Sequence, residues 1–252
     1  MTRVADWPAG IGRHVHAELD STLNEAARIA PVLSAPAWIL TYNQTQGRGR
    51  RGRPWAMPSG NFAGALVLRP QEPPATVALR SFVAALALAD ALSEVTGRPE
   101  LLALKWPNDV LLAGGKVAGI LLEGIGQGGH VSHLAIGIGV NLAEAPPAEA
   151  LEPGAVHPVS LLAATGAQVA PEEFLSVLAR SYAAREAVFM TQGFAPIREA
   201  WLARAARLGE RITARTGSTA TTGIFETIDA QGALVLATSE GRRAIPAAEV
   251  FF

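Results

Sequence analysis

Between residues 44 and 55 the chain reads QTQGRGRRGRPW, which sets Arg48, Arg50, Arg51 and Arg53 among glycines within six residues. A guanidinium is a planar fork of donors that matches phosphate and carboxylate oxygens two at a time. Glycines between the arginines let the backbone approach an anion and offer its N–H groups. Such a loop suits the grip of a small anion, closing over it as the like charges are neutralised. The plain alternatives are a solvated basic loop, or an arginine–glycine contact for RNA. Net charge is −1, so the positive field is confined to this loop, which favours a small ligand over a polyanion.

A second cluster follows at Lys105-Trp106-Pro107-Asn108-Asp109. Proline stiffens the turn and tryptophan can fix it by packing. Asn108 and Asp109 then present an amide and a carboxylate, suited to orienting a nucleophile or a hydrated magnesium ion, or to an ordinary turn. Lys116 opens the segment KVAGILLEG. Of 21 basic residues only two are lysine, Lys105 and Lys116, in a chain that uses arginine wherever any positive charge suffices. Arginine cannot replace a compact, mobile ammonium at a reacting centre, so the region holding the two lysines is marked, and Lys116 is read as functional in preference to an ordinary surface lysine. The segment IGIGVN, residues 136–141, removes side chains from one face of an apolar strand and ends on Asn141, which can pair with a base, ribose or phosphate.

Two motifs are decoys. Gly124–Gly129 matches GxGxxG, yet the next segment reads as a strand, so no helix N-terminus faces a pyrophosphate. His130 and His133 are three apart on a strand and point to opposite faces, which argues against a metal site.

Composition narrows the chemistry. There is no cysteine, which excludes disulfides, thiolate metal sites and thiol nucleophiles. With 252 residues, 49% of them hydrophobic and 17% charged, the chain is expected to be globular. The N-terminus lacks a signal-peptide pattern. The most apolar stretch, residues 82–92, carries Asp90 and falls short of the ~20 residues a bilayer demands. A cytoplasmic protein without membrane contact is expected.

The elements that must position these residues follow from periodicity. Strands are predicted at 15–19, 37–42, 62–68, 101–105 running on to 110–112, 117–123 and 130–140, with turns at 114–115 and 126–129. Asp20-Ser21-Thr22 supplies cap chemistry for a helix over 23–29. Further helices are predicted over 76–95, 172–190 and 195–206, and residues 143–158 form a Pro- and Ala-rich connection. Beyond residue 211 short strands alternate with turns at 229–232 and 240–241, as in a small barrel. The domains are predicted as 1–207 and 208–252.

In order along the chain, Asp20-Ser21-Thr22, GRGRRGRxW, KWPNDV, KVAGILLE and GIGVN resemble the signature set of biotin–protein ligases. The similarity covers residues 18–141 and returns in the tail at GIFETIDAQGALVL. It implies an α+β fold, with a mixed or antiparallel sheet and packed helices like a class II synthetase, capped by a small SH3-like β-barrel. It implies an ATP-dependent enzyme that makes biotinyl-5′-AMP and passes biotin to a lysine of a biotin carboxyl carrier domain. The resemblance assigns biotin contacts to Ser21, Thr22, Leu23, Gln44, Arg48, Gly49, Arg50, Lys116 and Gly119. Arg51, Arg53, Trp55, Asn108 and Asn141 fall to the nucleotide. Asn108 and Asp109 fall to magnesium. Lys116, Arg48, Arg50 and Asp109 are the implied catalytic set.

This sequence departs from the family at a few points. Leu23 follows Asp-Ser-Thr where many members carry a polar residue, and Asn24 comes next. Gln46 stands where a small residue is common, and the tail reads AAEVFF, leaving Glu249 as the equivalent of the family's acid. About 17 residues precede the first motif, against ~60 for a winged-helix unit, so no DNA binding is expected. A homodimer is left open. Lipoate–protein ligase, with the same lysine logic, and a nucleic-acid module built on the arginine loop are the alternatives.

Overall fold

The computed structural model describes residues 7–126, 131–147, 156–217 and 219–251. The N-terminal part is built on a seven-stranded sheet in the order β1-β2-β3-β7-β6-β5-β4. Its strands are β1 Gly12–Leu19, β2 Ala37–Gln44, β3 Phe62–Leu68, β4 Leu102–Lys105, β5 Asp109–Leu112, β6 Gly115–Ile125 and β7 His133–Val140. Only β1 and β2 pair in parallel, joined by α1 Thr22–Ile29. All other neighbours are antiparallel, so the sheet is mixed as the α+β reading expects.

Alternation divides this sheet into two unlike faces. One row of paired residues runs Asp109, Gly119, Gly139, Ala63, Thr41, and the next runs Leu121, Gly137, Ala65, Ile39. This face is paved with Gly and Ala, and α1 covers only one end of it, through Leu23, Ala26 and Ala30. The opposite face carries Trp38, Leu40, Leu66, Ile120, Ile136 and Ile138 and is buried beneath helices. The covering helices are α2 Pro74–Ala78, α3 Arg80–Thr96, α5 Pro171–Gln192 and α6 Phe194–Leu202, with a short α4 Leu161–Thr165 at the sheet's end. Bulk on one face and its absence on the other leave an open cleft on the first.

Several sequence expectations need correction. The single helix over 76–95 is two helices, because the Leu79 and Phe82 amides each reach back three residues, to the Thr76 and Leu79 carbonyls, and tighten the chain there. Together the two reach Pro74–Thr96, long and apolar enough by composition to cross a bilayer, contrary to the estimate from 82–92 alone; 72% of that window is buried inside the protein, where it serves as the core helix. Strand β1 starts at Gly12, earlier than expected, since it zips onto β2 from Gly12 opposite Ala37. The last helix stops at Leu202, and the chain then bridges Ala205 to Leu104 at the sheet edge. Helix α4, unforeseen in sequence, is capped by the Ser160 hydroxyl, which accepts from the Ala163 amide. The turn at 114–115 is centred on Ala113 and Gly114, both at positive φ, and Gly115 already belongs to β6. Strand β7 begins at His133; His130 and the turn at 127–129 lie outside the described residues.

From Arg211 a second, five-stranded antiparallel sheet forms in the order β11-β10-β9-β8-β12. Its strands are β8 Arg211–Thr216, β9 Thr219–Ile228, β10 Leu234–Thr238, β11 Gly241–Ile245 and β12 Glu249–Phe251. Its β9–β10 turn is closed by Asp229, whose carboxylate accepts from the Gln231 and Ala233 amides. That turn packs on the first unit: the Trp106 indole N–H donates to the Gly232 carbonyl at 3.1 Å. The second sheet thereby braces the Lys105–Asp109 turn.

Candidate active site

The glycine-paved face is the floor of a cleft of about 1010 Å³. Lined by Ser21, Thr22, Leu23, Gln44, Arg48, Gly49, Arg50, Arg53, Trp55, Asn108, Asp109, Lys116, Gly119 and Asn141, it brings together every residue proposed from the sequence except Arg51, which turns away to Glu249. Segments more than a hundred residues apart thus meet around one space.

At one end lies the start of α1. Ser21 and Thr22 are buried, and the Thr22 amide and hydroxyl both donate to the Gln44 side-chain carbonyl at 2.9 and 3.2 Å. Ser21 caps the helix by accepting from the Leu23 amide. Leu23, at the position where a polar residue was noted as common, lies on Gly137: a Cβ added to that glycine would come within 3.0 Å of three Leu23 carbons. It makes an apolar wall, so any contact with a ligand from this position is van der Waals in kind.

At the other end three cations converge. By strict alternation Lys116 would share the helix-covered face with Ala118 and Ile120. A bulge shifts the register between β5 and β6, so that Ala118 pairs with Val110 but Lys116 pairs with Leu111. The extra residue turns Lys116 onto the cleft face, where its Nζ meets Asp109 Oδ1 at 2.7 Å. Lys105 stands opposite Asp109 on β4, and burial pulls its ammonium below the ordinary lysine range. The Arg50 guanidinium is likewise lowered by burial, with Asp109 acting against that shift. One carboxylate therefore faces Lys105, Lys116 and Arg50.

The arginine loop is a small hairpin rather than an unstructured flap. Arg48 bridges Pro54, the Gly49 amide donates to the Arg53 carbonyl at 2.7 Å, and the Trp55 amide donates to the Gly47 carbonyl at 2.9 Å. Its tip turns through Arg51 (φ 58°) and Gly52 (φ 71°), the latter a conformation that glycine takes without strain. The arginines go to different places. Arg48 pairs with Glu123. Arg50 donates from both terminal nitrogens to the Ala248 carbonyl at 3.2 Å. Arg51 and Arg53 both meet Glu249, at 2.8 and 2.5 Å. Burial alone pushes the Glu249 carboxyl up, but hydrogen bonding to Arg53 and the charges of Arg53, Arg51 and Arg50 hold it below its ordinary value.

Trp55 ends the hairpin and lies on the glycine floor. A Cβ on Gly139 would come within 2.4 Å of its indole, and one on Gly119 within 3.2 Å, while Lys116 Nζ stands 5.7 Å above the ring centroid. The room that the strand glycines leave is partly taken by this indole. Asn108 donates to the Ile120 carbonyl, and the Asn141 side chain donates to the Val159 carbonyl at 3.2 Å, so both asparagines also brace the walls. Among the described residues no group of three His, Cys, Asp or Glu side chains is arranged to cage a metal.

Sequence reasoning gave no role to five contributors. Glu123, Asn24 and the Ala248 carbonyl hold the loop, and Val156 and Pro158 line the cleft beside Lys116. Only Glu123 had a signal: it lies two and four residues beyond Leu121 and Gly119, on the same strand face.

The fold and cleft define a ligase of the kind that joins an acid to a protein. Residues 18–141 match the biotin/lipoate A/B protein ligase family, and residues 208–252 match the biotin protein ligase C-terminal domain. The biotin–[acetyl-CoA-carboxylase] ligase of Paracoccus denitrificans is 61% identical over 94% of this chain and 98% of its own. The bifunctional ligase/repressor BirA of Bacillus subtilis is 32% identical over 95% of this chain and 74% of its own. Among solved structures, the Aquifex aeolicus biotin protein ligase in complex with biotin and ATP superposes with a TM-score of 0.81 at 27% identity, covering 95% of this chain and 97% of that one. The chain belongs to the biotin/lipoate A/B protein ligase family, on its biotin–protein ligase branch.

Proposed function

We infer that this protein is an ATP-dependent biotin–protein ligase whose acceptor is a biotin carboxyl carrier domain. The observation that carries the site assignment is the convergence of Lys105, Lys116 and Arg50 on the carboxylate of Asp109, at the end of a floor paved with glycine and alanine. The floor suits a neutral bicyclic ring, and the surplus of positive charge suits the anion at the end of its chain.

In the first step a biotin carboxylate oxygen attacks the α-phosphorus of ATP and pyrophosphate leaves. Lys116 offsets charge on the carboxylate and the α-phosphate, and Arg50 does so from the loop; such donors act strongly in a half-dry cleft. Ser21, Thr22 and Gln44 hold the ureido ring, with Gly49 and Gly119 leaving it space and Leu23 walling it. Trp55, Asn108 and Asn141 serve the nucleotide, while Arg51 and Arg53, assigned to it from the sequence, are held by Glu249 and reach a phosphate only by sharing that carboxylate. In the second step the acceptor lysine amine attacks the acyl carbon and AMP leaves, which gives an amide without an enzyme nucleophile. The oxygens of Asp109 and Asn108 would hold a magnesium ion brought in with the nucleotide, and the ion would supply neutralisation of phosphate charge. The chain is read as two units, 1–207 and 208–252.

The nucleic-acid alternative loses its support in the hairpin, because Arg48, Arg51 and Arg53 are paired with carboxylates of the protein itself. The test is mass spectrometry of a purified carrier domain incubated with the protein, ATP and magnesium. One biotin is expected on the carrier when biotin is the supplied acid. Addition of lipoate but not biotin would move the chain to the neighbouring activity.

A further inference from the structure

We propose that Glu123 is a positioning residue for the acyl-adenylate: by holding Arg48 it sets the arginine hairpin over the glycine floor. The proposal rests on the reading of the cleft as the biotin and ATP site. Arg48 Nε donates to Glu123 Oε1 at 3.0 Å and Nη2 to Oε2 at 2.8 Å, the parallel two-point pairing in which a guanidinium is most firmly oriented. Its Nη1 donates to Asn24 Oδ1 at 2.7 Å and, more weakly, to Ser21 Oγ at 3.4 Å. A guanidinium has five N–H donors. With four contacts made inside the protein, the Arg48 fork is spent on the walls of the cleft, and its charge is matched by Glu123.

Arg50 differs. Its hydrogen bonds go to a carbonyl, and among the described residues Asp109 and Glu249 act on its charge from a distance without a direct ion pair. Of these two arginines, Arg50 is the one with charge to offer an anion, and Arg48 is the tether. The tether reaches the site through the backbone, since Arg48 bridges Pro54 and the next residue, Trp55, lies on Gly139. Glu123 belongs to β6, an interior strand, so it anchors the hairpin to the hydrogen-bonded sheet that makes the floor. A half-exposed ion pair contributes little by itself to global stability. Its expected effect is on where the hairpin sits, not on whether the chain folds.

The test uses Glu123→Gln, Arg48→Ala and the double variant. Glu123→Gln keeps the side-chain shape but removes the charge and turns an amide donor towards Arg48. It is expected to release free adenylate about tenfold faster and to raise KM for biotin by a similar factor. The kcat of biotin-dependent ATP–pyrophosphate exchange is expected to stay within about threefold, with the melting temperature unchanged. Because Glu123 acts through Arg48, the double variant is expected to be no worse than the worse single one. Wild-type release from Glu123→Gln, or losses that add in the double variant, would overturn the proposal. If the wild-type protein shows no biotin-dependent exchange, the functional reading fails by itself. The tether is then decided by trypsin, which must cut at Arg50 or Arg51 about tenfold faster in Glu123→Gln; equal cutting rejects it.

Discussion

The glycines of residues 47–52 and those of residues 137–139 serve opposite ends. In the loop they give the backbone freedom: Gly52 takes a left-handed turn, and the hairpin can carry four arginines in close succession. In the strand they sit in regular extended structure, and what matters is the missing side chain. The Trp55 indole and Leu23 rest directly on Gly139 and Gly137. One set makes a flap whose position is decided by ion pairs at its edges, and the other makes a floor that is fixed by the sheet. A cleft that must bind a flat ring and then retain a reactive anhydride needs both.

The sharpest way to separate floor from flap is to change the charge between them. Lys116→Ala is expected to lower the rate of adenylation by about a hundredfold or more, while circular dichroism and the melting temperature stay near wild type. Its loss leaves Asp109 without its 2.7 Å partner, so the remaining positive charge is partly cancelled as well. Wild-type exchange in this variant would remove Lys116 from the chemistry.

Next comes the floor. Gly139→Val places carbon where the Trp55 ring now lies, which forces the indole upward. KM for biotin is expected to rise by about tenfold or more, and tryptophan emission to shift as the ring becomes wetter. An unchanged KM would mean that the ligand does not use this floor. The flap responds differently: Arg50→Gly is expected to slow adenylation less than Lys116→Ala does and to release free adenylate about tenfold faster, detected as labelling of bystander proteins. Release at the wild-type rate would show that Arg50 does not retain the intermediate.

The smallest expected effect concerns the clasp at Glu249. Its carboxyl is held below the ordinary value in the folded protein, so its contribution is complete above the ordinary carboxylate range and is lost as pH falls towards the depressed value. Adenylate release should therefore quicken modestly on acidification, and Glu249→Gln should show that faster release already at neutral pH. A Glu249→Gln variant with the wild-type pH profile would show the clasp to be idle.

Much of this site was legible in the sequence because each segment carries its own local signal. Arginines among glycines, a proline-stiffened turn after a lysine, and glycines alternating in an apolar strand all announce themselves without knowledge of the fold. What was not legible depends on register and distance. The bulge that turns Lys116 into the cleft is one residue of slippage between β5 and β6, and no periodicity in KVAGILLE betrays it. The Ala248 carbonyl reaches Arg50 across 198 positions. Helix α4 and the break at Leu79 were missed because five residues, or one turn, fall below the window in which a helical period can be read. Glu123 was open to detection, since an acid on the cleft face of a strand of known alternation is a natural partner for an arginine of the loop, here Arg48.

The claim beneath all of this is that a biotin carboxylate and the α-phosphate of ATP meet between Lys116 and Arg50 above the glycine floor. Isotope exchange between pyrophosphate and ATP, with biotin or lipoate as the only free acid and no acceptor protein, tests it most directly. Exchange that depends on biotin and collapses in Lys116→Ala is the expected result. Exchange that ignores biotin, or that survives the loss of Lys116, would contradict it.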